Sequence, residues 1–98
     1  MSLVKIELER QVVDFIRSLP PEPRRVLRRS LKNLGREKGD IRALEGDLEG
    51  FYRLRALRYR VIFFYQVSSE RRIIRCLYAA PRSIVYEIFA QHLRELLP

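Results

Sequence analysis

The chain has little to build a conventional catalytic centre from. It holds one cysteine, one histidine and four glycines in 98 residues. A lone Cys76 rules out an intramolecular disulfide, and it offers no cluster for zinc or iron–sulfur. It sits in an apolar run, where a thiol packs as a small core residue. Carboxylates are scarce, twelve Asp and Glu against twenty Lys and Arg, and they do not gather as divalent-metal nuclease chemistry requires. Nucleophile triads and Gly-rich phosphate loops are missing, so no cofactor or metal is implied. No apolar run reaches membrane-spanning length, and Glu7 and Glu9 stand where a signal peptide would not place them. A soluble, cytoplasmic chain without a membrane partner is expected. Without repeats or low-complexity stretches, residues 1–98 read as one domain.

What is present is positive charge, and it is arginine. The net charge is +8, and seventeen of the twenty basic residues are Arg. Lysine would serve solubility as well, whereas arginine forks onto phosphate and stacks on bases. A nucleic acid or an acidic protein is the natural partner. A genome biased toward arginine codons would leave the same count.

The stretch Phe51–Tyr65, FYRLRALRYRVIFFY, organises the rest. Its two β-prone runs, Phe51–Arg55 and Arg60–Tyr65, alternate with period two. An even hairpin loop pairs Arg55 with Arg60, Leu54 with Val61 and Tyr52 with Phe63. A slip by one residue would mix charged and apolar side chains on both faces. Ala56–Tyr59 contains neither Gly nor Asn, which argues for a four-residue loop over a tight primed turn. One face, Tyr52, Leu54, Val61 and Phe63, is ready to pack on helices. The other carries Arg53, Arg55 and Arg60 among Phe51, Ile62 and Phe64. Guanidinium groups among aromatics suit a phosphate-rich ligand with stackable bases, although a solvated outer face reads the same way.

Around this hairpin, Val4, Ile6 and Leu8 alternate as a short strand. Val12, Phe15, Ile16 and Leu19 predict a helix over about 10–19, stopped by Pro20 and Pro21. Leu27, Leu31 and Leu34 predict a second helix over about 22–36, with Arg24, Arg25, Arg28, Arg29 and Lys32 on its other side. That basic face is either solvated or a landing site for phosphates or an acidic segment. Gly39–Gly50 reads as a loop, Ser68–Arg71 as a turn, and Ile73–Ala79 as an interior strand covered on both faces. Ser83 is placed to cap a last helix on which Val85, Ile88, Phe89, His92 and Leu96 share a face, giving His92 a packing role. The expected fold is α+β, β-α-α-β-β-β-α. Its small, mostly antiparallel sheet carries helices on one side, with an N-terminal helical hairpin and a C-terminal helix. Arg82 and Tyr86, in APRSIVY at Ala80–Tyr86, stand where a strand end meets a helix start and a sheet-based site would be completed, although taken singly Arg82 reads as an exposed boundary residue and Tyr86 as a ring at the rim of the core.

IELERQVVDFIRSLP, LEGDLEGFYRLR, RYRVIFFYQV and PRSIVYEIF occur in that order over nearly the whole chain. In this the chain resembles the RelE/ParE superfamily of toxins. The resemblance implies the toxin of a type II toxin–antitoxin pair, with a cognate antitoxin as partner. RelE-like members act on the ribosome and cut mRNA without metal, the RNA 2′-hydroxyl being the nucleophile. Carried over by motif, the catalytic set is Arg53, Arg55 and Arg60 on the hairpin, with Arg82 and Tyr86 near the C-terminus. Several active RelE-like toxins have a further basic residue two places before the Arg82 position, where this chain has Ala80. The ParE branch shares the fold, lacks the catalytic set and inhibits DNA gyrase. A RelE-like mRNA endoribonuclease is the leading reading, a ParE-like gyrase inhibitor the second, and a non-enzymatic nucleic-acid-binding domain the third.

Overall fold

The computed structural model describes residues 4–69 and 71–96. The elements are β1 (Lys5–Leu8), α1 (Arg10–Ser18), α2 (Pro21–Leu34), β2 (Asp40–Ala43), β3 (Tyr52–Ala56), β4 (Tyr59–Ser68), β5 (Arg71–Pro81) and α3 (Val85–Leu96), with a 3-10 turn at Gly46–Leu48. One sheet runs in the order β1-β5-β4-β3-β2. β1 is parallel to β5, and the other pairs are antiparallel. No helix among the described residues is long and apolar enough to cross a membrane.

The helical hairpin forms where apolar residues recur at helical spacing and prolines punctuate. Val12 and Ile16 bury one side of α1; Leu27, Leu31 and Leu34 bury one side of α2. Pro21 and Pro23 stand in the first turn of α2, where a missing N–H costs nothing. The Arg24 guanidinium donates to the Leu19 carbonyl at 3.0 Å, so this member of the basic face closes the end of α1. Both helices pack on Leu54, Val61, Phe63, Ile74, Cys76 and Ala79.

The hairpin register is the expected one: Arg55 opposite Arg60, Leu54 opposite Val61, Tyr52 opposite Phe63. Its connection is not. Ala56 pairs with Tyr59, leaving a two-residue turn whose first residue, Leu57, adopts φ 58°. The rule that such a turn wants Gly or Asn is overridden by the pairing on either side, and Leu57 bears the strain at an exposed tip. The expected Gly39–Gly50 loop holds β2, which pairs with β3 from Asp40 opposite Arg55 to Ala43 opposite Tyr52. The expected Ser68–Arg71 turn includes Glu70, which lies outside the described residues.

β5 lies between β1 and β4, as its continuous apolar run implied. A bulge opposite Ile62 and Phe63 moves the pairing from Tyr78 to Cys76. Cys76 and Ala79 therefore reach the helix-covered core together, while Leu77 and Tyr78 pack on the other side. Past the end of β1, the Gln11 amide takes over the free edge of β5. It donates to the Ala79 carbonyl (2.7 Å) and accepts from the Ala79 N–H (2.8 Å).

α3 corrects the expectation of helices on one side. It packs on the opposite face, where Val85 and Phe89 bury against Ile62, Ala80 and Leu48. Ser83 does not cap it; the helix begins at Val85, and the Ile84 carbonyl accepts the Ile88 N–H. His92 is exposed and sets the Tyr78 ring edge-on at 5.4 Å, and Leu96 at the helix end is 79% exposed. Only the first half of the expected apolar face is covered.

Candidate nucleic-acid-binding site

Because side chains alternate across strands, Arg53, Arg55 and Arg60 all lie on the face away from α1 and α2. β2 adds Asp40 and Arg42 to the same face. Asp40, Arg55, Arg60 and Ala80 stand opposite one another in one row across four strands; Arg42, Arg53, Ile62 and Tyr78 form the next. α3 rises beside the β5 end of these rows and brings Tyr86, in its first turn, over the sheet.

The three hairpin arginines are not equivalent. Arg53 is buried, with its Nη1 donating to the Asp40 carboxylate (3.0 Å) and the Asp40 carbonyl (2.9 Å). That hydrogen bond, reinforced by the charges of Arg53, Arg55 and Arg42, holds the Asp40 carboxyl below its ordinary range. Arg55 is exposed and reaches Asp40 only at 3.8 Å. Arg60 is 6% exposed, not the surface residue that a strand arginine suggests. Its Nη1 donates to the carbonyls of Tyr59 (2.9 Å) and Leu57 (3.2 Å). Burial pushes its pKa down, and the Tyr86 phenol beside it works the other way. Among the described residues, no carboxylate pairs with Arg60.

Arg82 is exposed in the turn between β5 and α3, anchored by its N–H to the Arg58 carbonyl at 2.8 Å. The aromatics are less available than expected. Phe51 packs edge-on against Phe89 (5.1 Å) and Phe64 (6.2 Å), so it ties α3 to the sheet. Sequence reading missed Asp40 and Arg42. Their alternation with Ile41 and Ala43 was the available signal, masked by the flanking glycines. Among the described residues, no three His, Cys, Asp or Glu side chains are placed to share a metal ion. The site is thus a cationic face with one buried guanidinium whose bonded partners are neutral, next to a phenol. Such an arrangement can hold an anion and stabilise added charge on it.

Neither a family model nor a curated protein matches the chain. Solved structures do. A structure of the archaeal RelE–RelB complex from Pyrococcus horikoshii contains a chain 32% identical to this one; the match covers 83% of this chain and 97% of that one, with a TM-score of 0.62. The YoeB/ParE toxin from Agrobacterium tumefaciens shares the fold at 14% identity, over 80% of this chain and 98% of that one, with a TM-score of 0.63. So does the toxin–antitoxin complex RelBE2 from Mycobacterium tuberculosis, at 20% identity over 83% and 100%, with a TM-score of 0.64. The fold is that of a small type II toxin. This chain belongs to the RelE family within the RelE/ParE superfamily of toxins.

Proposed function

We propose that this chain is the toxin of a toxin–antitoxin pair and acts in the cytoplasm as a ribosome-dependent mRNA endoribonuclease that needs no metal. The observation that carries the reading is Arg60: a buried guanidinium with no carboxylate partner among the described residues, beside Tyr86. In the reaction the RNA 2′-oxygen attacks the adjacent phosphorus and the bond to the 5′-oxygen breaks. The 2′-hydroxyl gives up its proton, and the leaving 5′-oxygen takes one up. Arg60, supported by Arg55 and Arg82, stabilises the extra charge on the five-coordinate phosphorus. Tyr86 stacks on the cleaved nucleotide or exchanges one of those protons. Arg53, held by Asp40, positions the strand more than it meets the substrate.

The cognate antitoxin is expected to mask the charge with an acidic or amphipathic segment. On the outer side of α2, Arg25 is paired with Glu22, while Arg28, Arg29 and Lys32 are exposed and without ion pairs among the described residues. Those three are the available part of that surface.

Purified protein added to programmed ribosomes should create new mRNA ends that persist after metal chelation, provided the ribosomes stay intact. Ribosome binding should weaken steeply with salt. A second reading is favoured by Ala80, which stands opposite Arg60 where several active relatives carry another basic residue. If no new ends appear and DNA supercoiling by gyrase is blocked instead, the gyrase inhibitor is the correct function.

A further inference from the structure

The hairpin tip and the start of α3 are joined by backbone, and this sets two arginines side by side. Tyr59 pairs with Pro81, the Arg82 N–H bonds the Arg58 carbonyl at 2.8 Å, and the Ile84 N–H closes the turn onto the Pro81 carbonyl at 3.1 Å. Arg58, Pro81, Arg82 and Ser83 then wall an open notch of about 450 Å³ without an acidic residue in its lining. Arg58 is exposed, yet it is held: its Nε donates to the Tyr59 hydroxyl at 3.3 Å, and its guanidinium lies 5.3 Å from the centre of that ring. Elsewhere Arg53, Arg72 and Arg75 have carboxylates at 3.2 Å or less. Among the described residues, Arg58 and Arg82 have none.

We propose that this notch binds a backbone phosphate of single-stranded RNA, next along the strand from the phosphate held at Arg60, with Arg58 and Ser83 as its own binding residues and Arg82 shared between this phosphate and the cleaved one. Two guanidinium forks and a hydroxyl match a phosphodiester's outward oxygens. The first-turn N–H groups of α3 add positive potential at the same place, partly offset by the exposed Glu87 carboxylate of that turn. The notch lies one register step beyond the Arg60–Ala80 pair; that step turns Tyr59 toward α1 and α2, so the notch sits at the sheet end, where a strand leaving the Arg60 face passes the hairpin tip. The proposal rests on the RNA reading above.

The test measures anisotropy of a fluorescein-labelled, uncleavable 2′-O-methyl RNA hexamer over a range of salt concentrations. Arg58→Gln should weaken binding several-fold at low salt and flatten the salt dependence by about 0.7 in log–log slope, one single-strand phosphate contact. Arg58→Lys should restore the slope. Arg94→Gln, an equal charge loss on the exposed end of α3, should leave it unchanged. Ser83→Asp should weaken binding more than Ser83→Ala. Equal effects of Arg58→Gln and Arg94→Gln would overturn the proposal. So would loss of poly-glutamate binding rather than RNA binding in Arg58→Gln, which would assign the notch to an acidic peptide. The ribosome cleavage assay is run separately, so a protein that binds RNA through the notch and cuts nothing refutes the nuclease reading alone.

Discussion

On the sheet face under α1 and α2, β3 and β4 contribute Leu54, Ala56, Tyr59, Val61 and Phe63, all buried and all apolar or aromatic. On the other face the same strands contribute Arg53, Arg55 and Arg60 around Ile62, and α3 covers the β5 side. The first face excludes water throughout; on the second Arg53 and Arg60 are buried while Arg55 stays exposed, and the consequences differ. Burial of carbon stabilises the first. On the second, burial falls on two guanidinium groups, and they are satisfied differently. Arg53 has a carboxylate, while Arg60 has two carbonyls and a phenol nearby. A buried cation paired with an acid is a strut. One left with neutral partners keeps its charge for a ligand, and a fold with marginal stability retains it at a cost.

That contrast is broken most sharply by one substitution on each face. Phe63→Ala empties a fully buried site and should cost about 3–5 kcal/mol by denaturant titration, enough to leave a domain of this size barely folded. Arg60→Ala should keep the fold at a smaller cost, about 1–3 kcal/mol, since two carbonyls lose their donor. Its mRNA cleavage on ribosomes should fall roughly 10²–10³-fold while ribosome binding persists. Tyr86→Phe removes one hydroxyl from a half-buried ring, so the melting temperature should hardly move. Cleavage should still drop far, and it stays unchanged if Tyr86 only packs. Wild-type cleavage in both folded variants would refute the assigned site.

The site was legible to the extent that it follows from alternation. Period two in Tyr52–Arg55 and Arg60–Phe63 fixes the register, and the register puts three arginines on one face. What alternation does not carry is which of them water reaches. Arg60 looked exposed because the helix that shields this face comes twenty-five residues later, at Val85. The tight turn at Leu57 was missed because local preference was weighed without the ladder that overrides it. β2 was missed because four residues between glycines carry little pattern of their own, and pairing with β3 makes them a strand.

A weaker effect separates Arg53 from Arg60 by pH. The Arg53 hydrogen bond lowers the Asp40 pKa, so Asp40 stabilises the fold above its ordinary value of 3.8, and that contribution is lost as pH falls through the lower folded value. The melting-temperature difference between wild type and Asp40→Asn should be constant near neutrality and shrink only in acid. Arg60→Ala should add no acid-range dependence of its own, because no carboxylate pairs with Arg60 among the described residues. A difference already vanishing near pH 6 would show that the Asp40–Arg53 pair is not what the substitution disturbs.

The smallest effect in native protein is the reactivity of Cys76, and it reports which face opens. Burial raises this thiol to about 12, so at about pH 8 roughly one molecule in ten thousand carries the thiolate, and no side of it reaches solvent. Labelling by N-ethylmaleimide should be negligible in the folded protein and complete in denaturant, with a rate set by how often the core under α1 and α2 opens. Phe63 stands opposite Cys76 across β4 and β5, so Phe63→Ala should speed labelling steeply. Arg60→Ala, on the other face, should speed it much less, in proportion to its smaller cost in global stability. If the two variants label at rates that differ by no more than their global stabilities require, the faces open as one cooperative unit. Labelling in excess of that for Phe63→Ala would show that the helix-covered core opens while the cationic face stays in place.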